Sequence, residues 1–250
     1  MSYAEYFECQ KGYEGLQYLE SIKNDIVSFY EALNLDFDFQ KKLIIGGADT
    51  PRYCIGAKNN LPYDLILLTL TDFGVWDQTI YQLSHEITHC FIHCHNSNEN
   101  VYASWLEETI CEAMSLYFLS YFYETWKTNA LCTINFMYDM YIKKYLQDIL
   151  NKKGNNRLSL CNGYAELMEI DRTSQEQRDD RKNEMVGLYA NIIKRDIKGL
   201  IQYRDYIYPN EKILNCEKYL QDYPFNRAVK YLCNLQNSIL ARDEKYRKQA

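Results

Sequence analysis

The chain has 250 residues, 47% of them apolar, enough to enclose the core of one large domain or two tight subdomains. Its formal net charge of −6 excludes a dominant nucleic-acid role, because phosphate binding needs a basic surface. Nine cysteines without a C-x-x-C pair, no apolar run long enough to cross a bilayer, and no basic-apolar leader at the N-terminus predict a reduced, cytoplasmic protein with no membrane partner.

Along the chain, residues 15–35 have helical spacing. Residues 37–45 read as a strand ended by Gly46 and Gly47, and a hairpin is expected around residues 52–56. Residues 64–70 form the clearest strand. A helix then begins near Asp77, a suitable N-cap. The polar break at residues 96–100 separates it from a long helix over 101–126, with Trp105, Ile110, Met114, Tyr117, Phe118 and Tyr121 at helical spacing. The rest reads as mostly helical, over 131–150, 183–200, 210–220 and 226–241. The loop at 151–156 divides the chain into 1–150, with the small sheet, and 151–250, a helical part. Residues 172–184 are dense in charge and are expected to form a solvated helix or a mobile loop. The expected class is α+β: a small sheet, a two-helix centre and a C-terminal helical layer.

The helix that begins near Asp77 contains His85-Glu86-Ile87-Thr88-His89, an H-E-x-x-H pattern. Positions i and i+4 share one helix face, so both imidazoles can grip a single zinc ion at about 2.0–2.1 Å. Glu86 sits on the adjacent face, where in such sites it meets the water rather than the metal. An ordinary amphipathic helix with accidental histidines is the plain alternative.

A catalytic zinc takes three protein ligands and keeps one position open. Glu108 follows His89 after eighteen residues, near the start of the long helix. A short turn between two helices packs them antiparallel, so Glu108 can face the histidines. Glu112 lies one turn further on the same face and can hold a ligand histidine by its other N–H. Glu107 is the weaker rival, turned about 100° around the helix. His95 is the other candidate third ligand. Ile92 stands where the chain would have to turn back for it, and a β-branched residue suits a left-handed turn poorly. His93 is expected to be solvated near the helix C-terminus.

His85-Glu86-x-x-His89, eighteen residues, then Glu108-x-x-x-Glu112 resembles the gluzincin group of zinc peptidases. The Trp105-Leu106-Glu107-Glu108 lead-in resembles its aminopeptidase branch, and the Glu112 position resembles thermolysin-like enzymes. The resemblance spans roughly residues 62–125. It implies a zincin-like fold with one Zn2+ held by His85, His89 and Glu108. It also implies Glu86 as general base, Glu112 as the orienting residue, and hydrolysis of a peptide or protein substrate by zinc-activated water. The spacing from His85 to His95 resembles the metzincins instead. Thr109 stands where the aminopeptidases usually carry Gly, and no clear Gly-x-Met-Glu-Asn motif occurs, so aminopeptidase specificity is not implied.

In gluzincins the strand before the motif helix borders the cleft, and residues 61–70 are the candidate for a free edge that pairs with peptide. A central, fully paired strand fits the same apolar run. No histidine follows His95, so an oxyanion donor must be a Tyr or Arg, with Tyr189, Tyr203 and Tyr206 as candidates. A zinc-bound but catalytically idle regulator or interaction module is the alternative function.

Overall fold

The computed structural model describes residues 2–35, 37 and 40–243. Asp38 and Phe39, at the start of the expected strand over 37–45, lie outside the described residues.

The strands are β1 (Phe7–Cys9), β2 (Lys42–Ile45), β3 (Arg52–Cys54) and β4 (Asp64–Leu67), with apolar runs in β2 and β4. They form one mixed sheet in the order β1-β2-β4-β3. β1, β2 and β4 are parallel, and β3 runs antiparallel to β4 with Tyr53 opposite Ile66. β4 therefore has partners on both sides and offers no free edge. Its apolar run is that of an interior strand, with Ile66 and Leu68 fully buried. The edge next to it is β3.

Lys42 lies opposite Asp64 in the β2–β4 register. Their side chains form a buried ion pair, Nζ to Oδ2 2.7 Å. Asp64 also accepts from the Tyr53 hydroxyl and the Gly56 N–H, each at 2.7 Å. A buried charge pair is tolerable only when its remaining lone pairs are satisfied, as here. Burial alone would raise the Asp64 pKa, but its three donors together hold it below the ordinary value. Gly56 fits because a Cβ there would stand 2.0 Å from the Tyr63 carbonyl oxygen.

The described residues form ten α-helices. They are α1 (Leu16–Glu31), α2 (Trp76–His95), α3 (Ser104–Thr125), α4 (Asp139–Asn151), α5 (Arg157–Leu160), α6 (Tyr164–Thr173), α7 (Lys182–Tyr189), α8 (Ile197–Ile201), α9 (Cys216–Asp222) and α10 (Arg227–Leu240). With the single small sheet, this is an α+β chain. No helix among the described residues is long and apolar enough to cross a membrane. None of the nine cysteines forms a disulfide.

The chain divides into two compact units, Met1–His95 with Met114–Ile149, and Asn96–Ala113 with Leu150–Ala250. The second unit joins residues 96–113 to the C-terminal segment.

In the first unit, α1 buries Leu19, Ile22, Ile26, Phe29 and Tyr30, a stripe at helical spacing. Tyr30 stacks on Phe91 of α2 at 4.4 Å between centroids. The Thr88 hydroxyl donates to the Ser84 carbonyl at 2.6 Å, so at 2.6 Å from the Tyr30 hydroxyl it accepts. α2 is thus braced in the middle of the H-E-x-x-H turn. α2 begins at Trp76, one residue before the expected cap. Asp77 lies in its first turn, where a carboxylate suits the exposed N–H groups.

In the second unit two expected helices are shorter than their periodicity suggested. The one over 183–200 breaks after Tyr189, because Ile193 takes an extended conformation ahead of a 3-10 turn at Lys194–Asp196. The one over 210–220 starts only at Cys216. Asn210 and Lys212 sit at positive φ, 65° and 57°, which a right-handed helix excludes. Asn215 then caps α9, its side chain accepting from the Lys218 N–H at 3.1 Å.

Candidate metal centre

Two donors of the candidate centre come from one turn of α2. His85 and His89 are both buried, and their Nε2 atoms stand 3.2 Å apart. Two nitrogens that each bind one zinc at about 2.05 Å, at a tetrahedral angle, are about 3.3 Å apart. The pair therefore has the spacing that a shared ion requires. Glu108, from the first turns of α3, supplies the third donor. Single ligand atoms of His85, His89 and Glu108 all lie within 4.8 Å of one another, and all three residues are buried. They are the one such group among the described residues. The donor set, two imidazoles and a carboxylate, is one that zinc favours.

Glu86 follows His85 and is 2% exposed. Burial, and to a lesser degree Glu86, push the Cys54 thiol pKa up. β3 packs on α2, the helix that carries Glu86.

The other histidines do not join the group. α2 runs unbroken through Ile92 and ends at His95, so the helix carries His95 onward. His93 is half-buried rather than solvated, with its ring 5.9 Å from that of Tyr53.

The two neighbouring glutamates have different partners. Glu107 Oε2 accepts from Arg204 Nε at 3.0 Å, from Arg204 Nη2 at 2.8 Å, and from the Tyr203 hydroxyl. Glu108 Oε2 accepts from Arg181 Nη2 at 3.2 Å. Glu112 is 1% exposed. Its Oε1 is paired with Arg178 Nε at 2.7 Å and lies 4.0 Å from Arg181 Nη2. The start of α3 is tied down too. Asp171 accepts from the Trp105 N–H at 3.1 Å and pairs with Lys212.

No family model, no curated protein and no solved structure matches this chain.

The run over 172–184 is solvated only in part: Arg172 and residues 175–179 are exposed, and its second half turns inward. Asp180, Arg181, Lys182 and Glu184 are buried, and Asp180 pairs with Arg157 at 2.9 Å. Arg178 and Arg181 were therefore missed as partners of the acidic face of α3. The available signal was α3 itself, which holds three glutamates within six residues of an apolar helix and so needs cations from elsewhere. Tyr203 gives its hydroxyl to Glu107, and Tyr206 gives its own to Asp222 at 2.9 Å. Tyr189 is half-buried at the end of α7.

Proposed function

We propose that this chain is a zinc-dependent peptidase of the gluzincin type. In this reading His85, His89 and Glu108 hold one Zn2+, and Glu86 is the general base. The convergence of three buried donor atoms beside a buried glutamate carries it. Bound zinc supplies a Lewis acid for a carbonyl and lowers the pKa of a water. Glu86 would serve as the carboxylate that takes a proton from the attacking water and returns it to the leaving amine. β3, an edge strand packed on the helix that carries Glu86, pairs with the backbone of an extended peptide. Nine cysteines without a disulfide suit a reducing, cytoplasmic compartment.

The test is Glu86→Gln, assayed on a peptide library beside wild type. Hydrolysis should fall by about 10²–10⁴-fold while zinc content holds. An unchanged rate would remove Glu86 from the chemistry.

A second reading is a zinc-bound but catalytically idle module. It is favoured by one observation: Tyr203 and Tyr206, two of the candidate oxyanion donors, give their hydroxyls to carboxylates. Wild-type protein that carries zinc and cleaves nothing in the library would support it.

A further inference from the structure

The metal centre has a feature that neither the H-E-x-x-H pattern nor its spacing to Glu108 contains. Glu108 Oε2 is held by a guanidinium that is itself buried and anchored on backbone carbonyls. Arg181 is 1% exposed. Its Nη1 donates to the Ser174 carbonyl and lies 3.5 Å from that of Gln177, and its Nη2 donates to Glu108 at 3.2 Å. Ser174 is buried as well. The same Nη2 lies 4.0 Å from Glu112 Oε1, which Arg178 holds at 2.7 Å. Two arginines three residues apart thus fix two carboxylates one helical turn apart.

We propose that Arg181 is a positioning residue that confines Glu108 to one oxygen toward the metal. The inference rests on the reading of His85, His89 and Glu108 as the metal centre. An ionised carboxylate has two oxygens and can offer either or both. An ion that took both would fill the position a hydrolytic site keeps open. Charge-assisted hydrogen bonds are short and strong, and a buried arginine anchored on backbone carbonyls cannot follow a swinging carboxylate. Oε2 is thereby held on Arg181, which gives the carboxylate a single orientation toward the histidines. Lysine would keep the charge but lose the planar fork that reaches the carbonyls and the carboxylate together.

The test uses the full chain loaded with Co2+ in place of Zn2+. Wild type, Arg181→Met and Arg181→Lys are compared by visible absorption and by competition with a chromophoric chelator. Circular dichroism checks the fold. Wild type should show the intense d–d bands of a four-coordinate ion. Arg181→Met should show the weaker bands of a five-coordinate one, with affinity lower by about 10–100-fold. Arg181→Lys should fall between them. A purely structural role for Arg181 would lower thermal stability and leave the bands unchanged. Wild-type bands and affinity in both folded variants would therefore overturn the proposal. Should Arg181→Met fail to fold, Arg181→Gln carries the same readout. Wild type that binds neither Co2+ nor Zn2+ would sink the metal centre itself. Binding abolished by Glu108→Ala yet indifferent to Arg181 would sink only the present inference.

Discussion

Arg204 grips Glu107 through two nitrogens on one oxygen, Nε at 3.0 Å and Nη2 at 2.8 Å. The pair is buried, and it separates the work of two adjacent glutamates. Glu107 ties residues 203–204 to α3, while Glu108 stands with the histidines. Removing one partner of a buried pair leaves an uncompensated charge, so Arg204→Met should destabilise the protein by about 3–5 kcal/mol. Urea unfolding measures this. A change below about 1 kcal/mol would mean that the pair is solvated in solution.

Metal content separates the candidate ligands. Zinc by elemental analysis should be near stoichiometric in wild type and in Glu107→Gln, and largely lost in His85→Ala, His89→Ala and Glu108→Ala. His95→Ala should keep it, because α2 carries that residue past the group. Zinc kept by Glu108→Ala and lost by His95→Ala would reverse the assignment of the third ligand.

Chelation should lower the thermal midpoint of the wild-type protein. A ligand that binds only the folded state stabilises it by about 2.7 kcal/mol at one hundred times its dissociation constant. Scanning calorimetry with and without a chelator reads the difference, and Glu108→Ala should show little of it. Equal midpoints for wild type with and without the chelator would argue against a structural grip on the ion.

Acid should weaken the sheet through Asp64. Its folded pKa is below the ordinary 3.8, held there against burial by Lys42, the Gly56 N–H and Tyr53. A depressed carboxylate contributes its stability above the unfolded value, and that contribution disappears as pH falls through the folded value. Asp64→Asn should therefore cost about 3–5 kcal/mol at neutral pH, because Lys42 loses its buried counter-ion. The gap between mutant and wild type should narrow below pH 3.8. Urea midpoints across pH 2–7 test the sign; a gap that widens in acid contradicts it.

Tyr30→Phe should cost about 0.5–1.5 kcal/mol, the worth of one buried hydrogen bond to Thr88. Tyr30→Ala should cost about 3–5 kcal/mol, since it also removes the ring that stacks on Phe91. Equal costs for the two would assign the brace to the hydroxyl alone.

The amino-acid sequence by itself determined what depends on near neighbours. The i, i+4 spacing of His85 and His89 puts their imidazoles on one face wherever α2 packs, because backbone geometry sets the helix turn. The apolar run of β4, the long α3 and the capped α10 were legible for the same reason. The breaks before Cys216 and after Tyr189 were less so, since apolar spacing does not register a few residues at unusual φ and ψ.

What lay beyond local pattern was decided by tertiary structure. Only the strand order shows β4 to be interior and β3 to be an edge. Arg181 is 73 residues from Glu108, and Arg204 is 97 from Glu107. A run of charges reads as solvated because lone charges are cheapest in water. Only the packed chain reveals that Arg178, Arg181 and Arg204 meet buried carboxylates on α3, where burial without a partner would be costly.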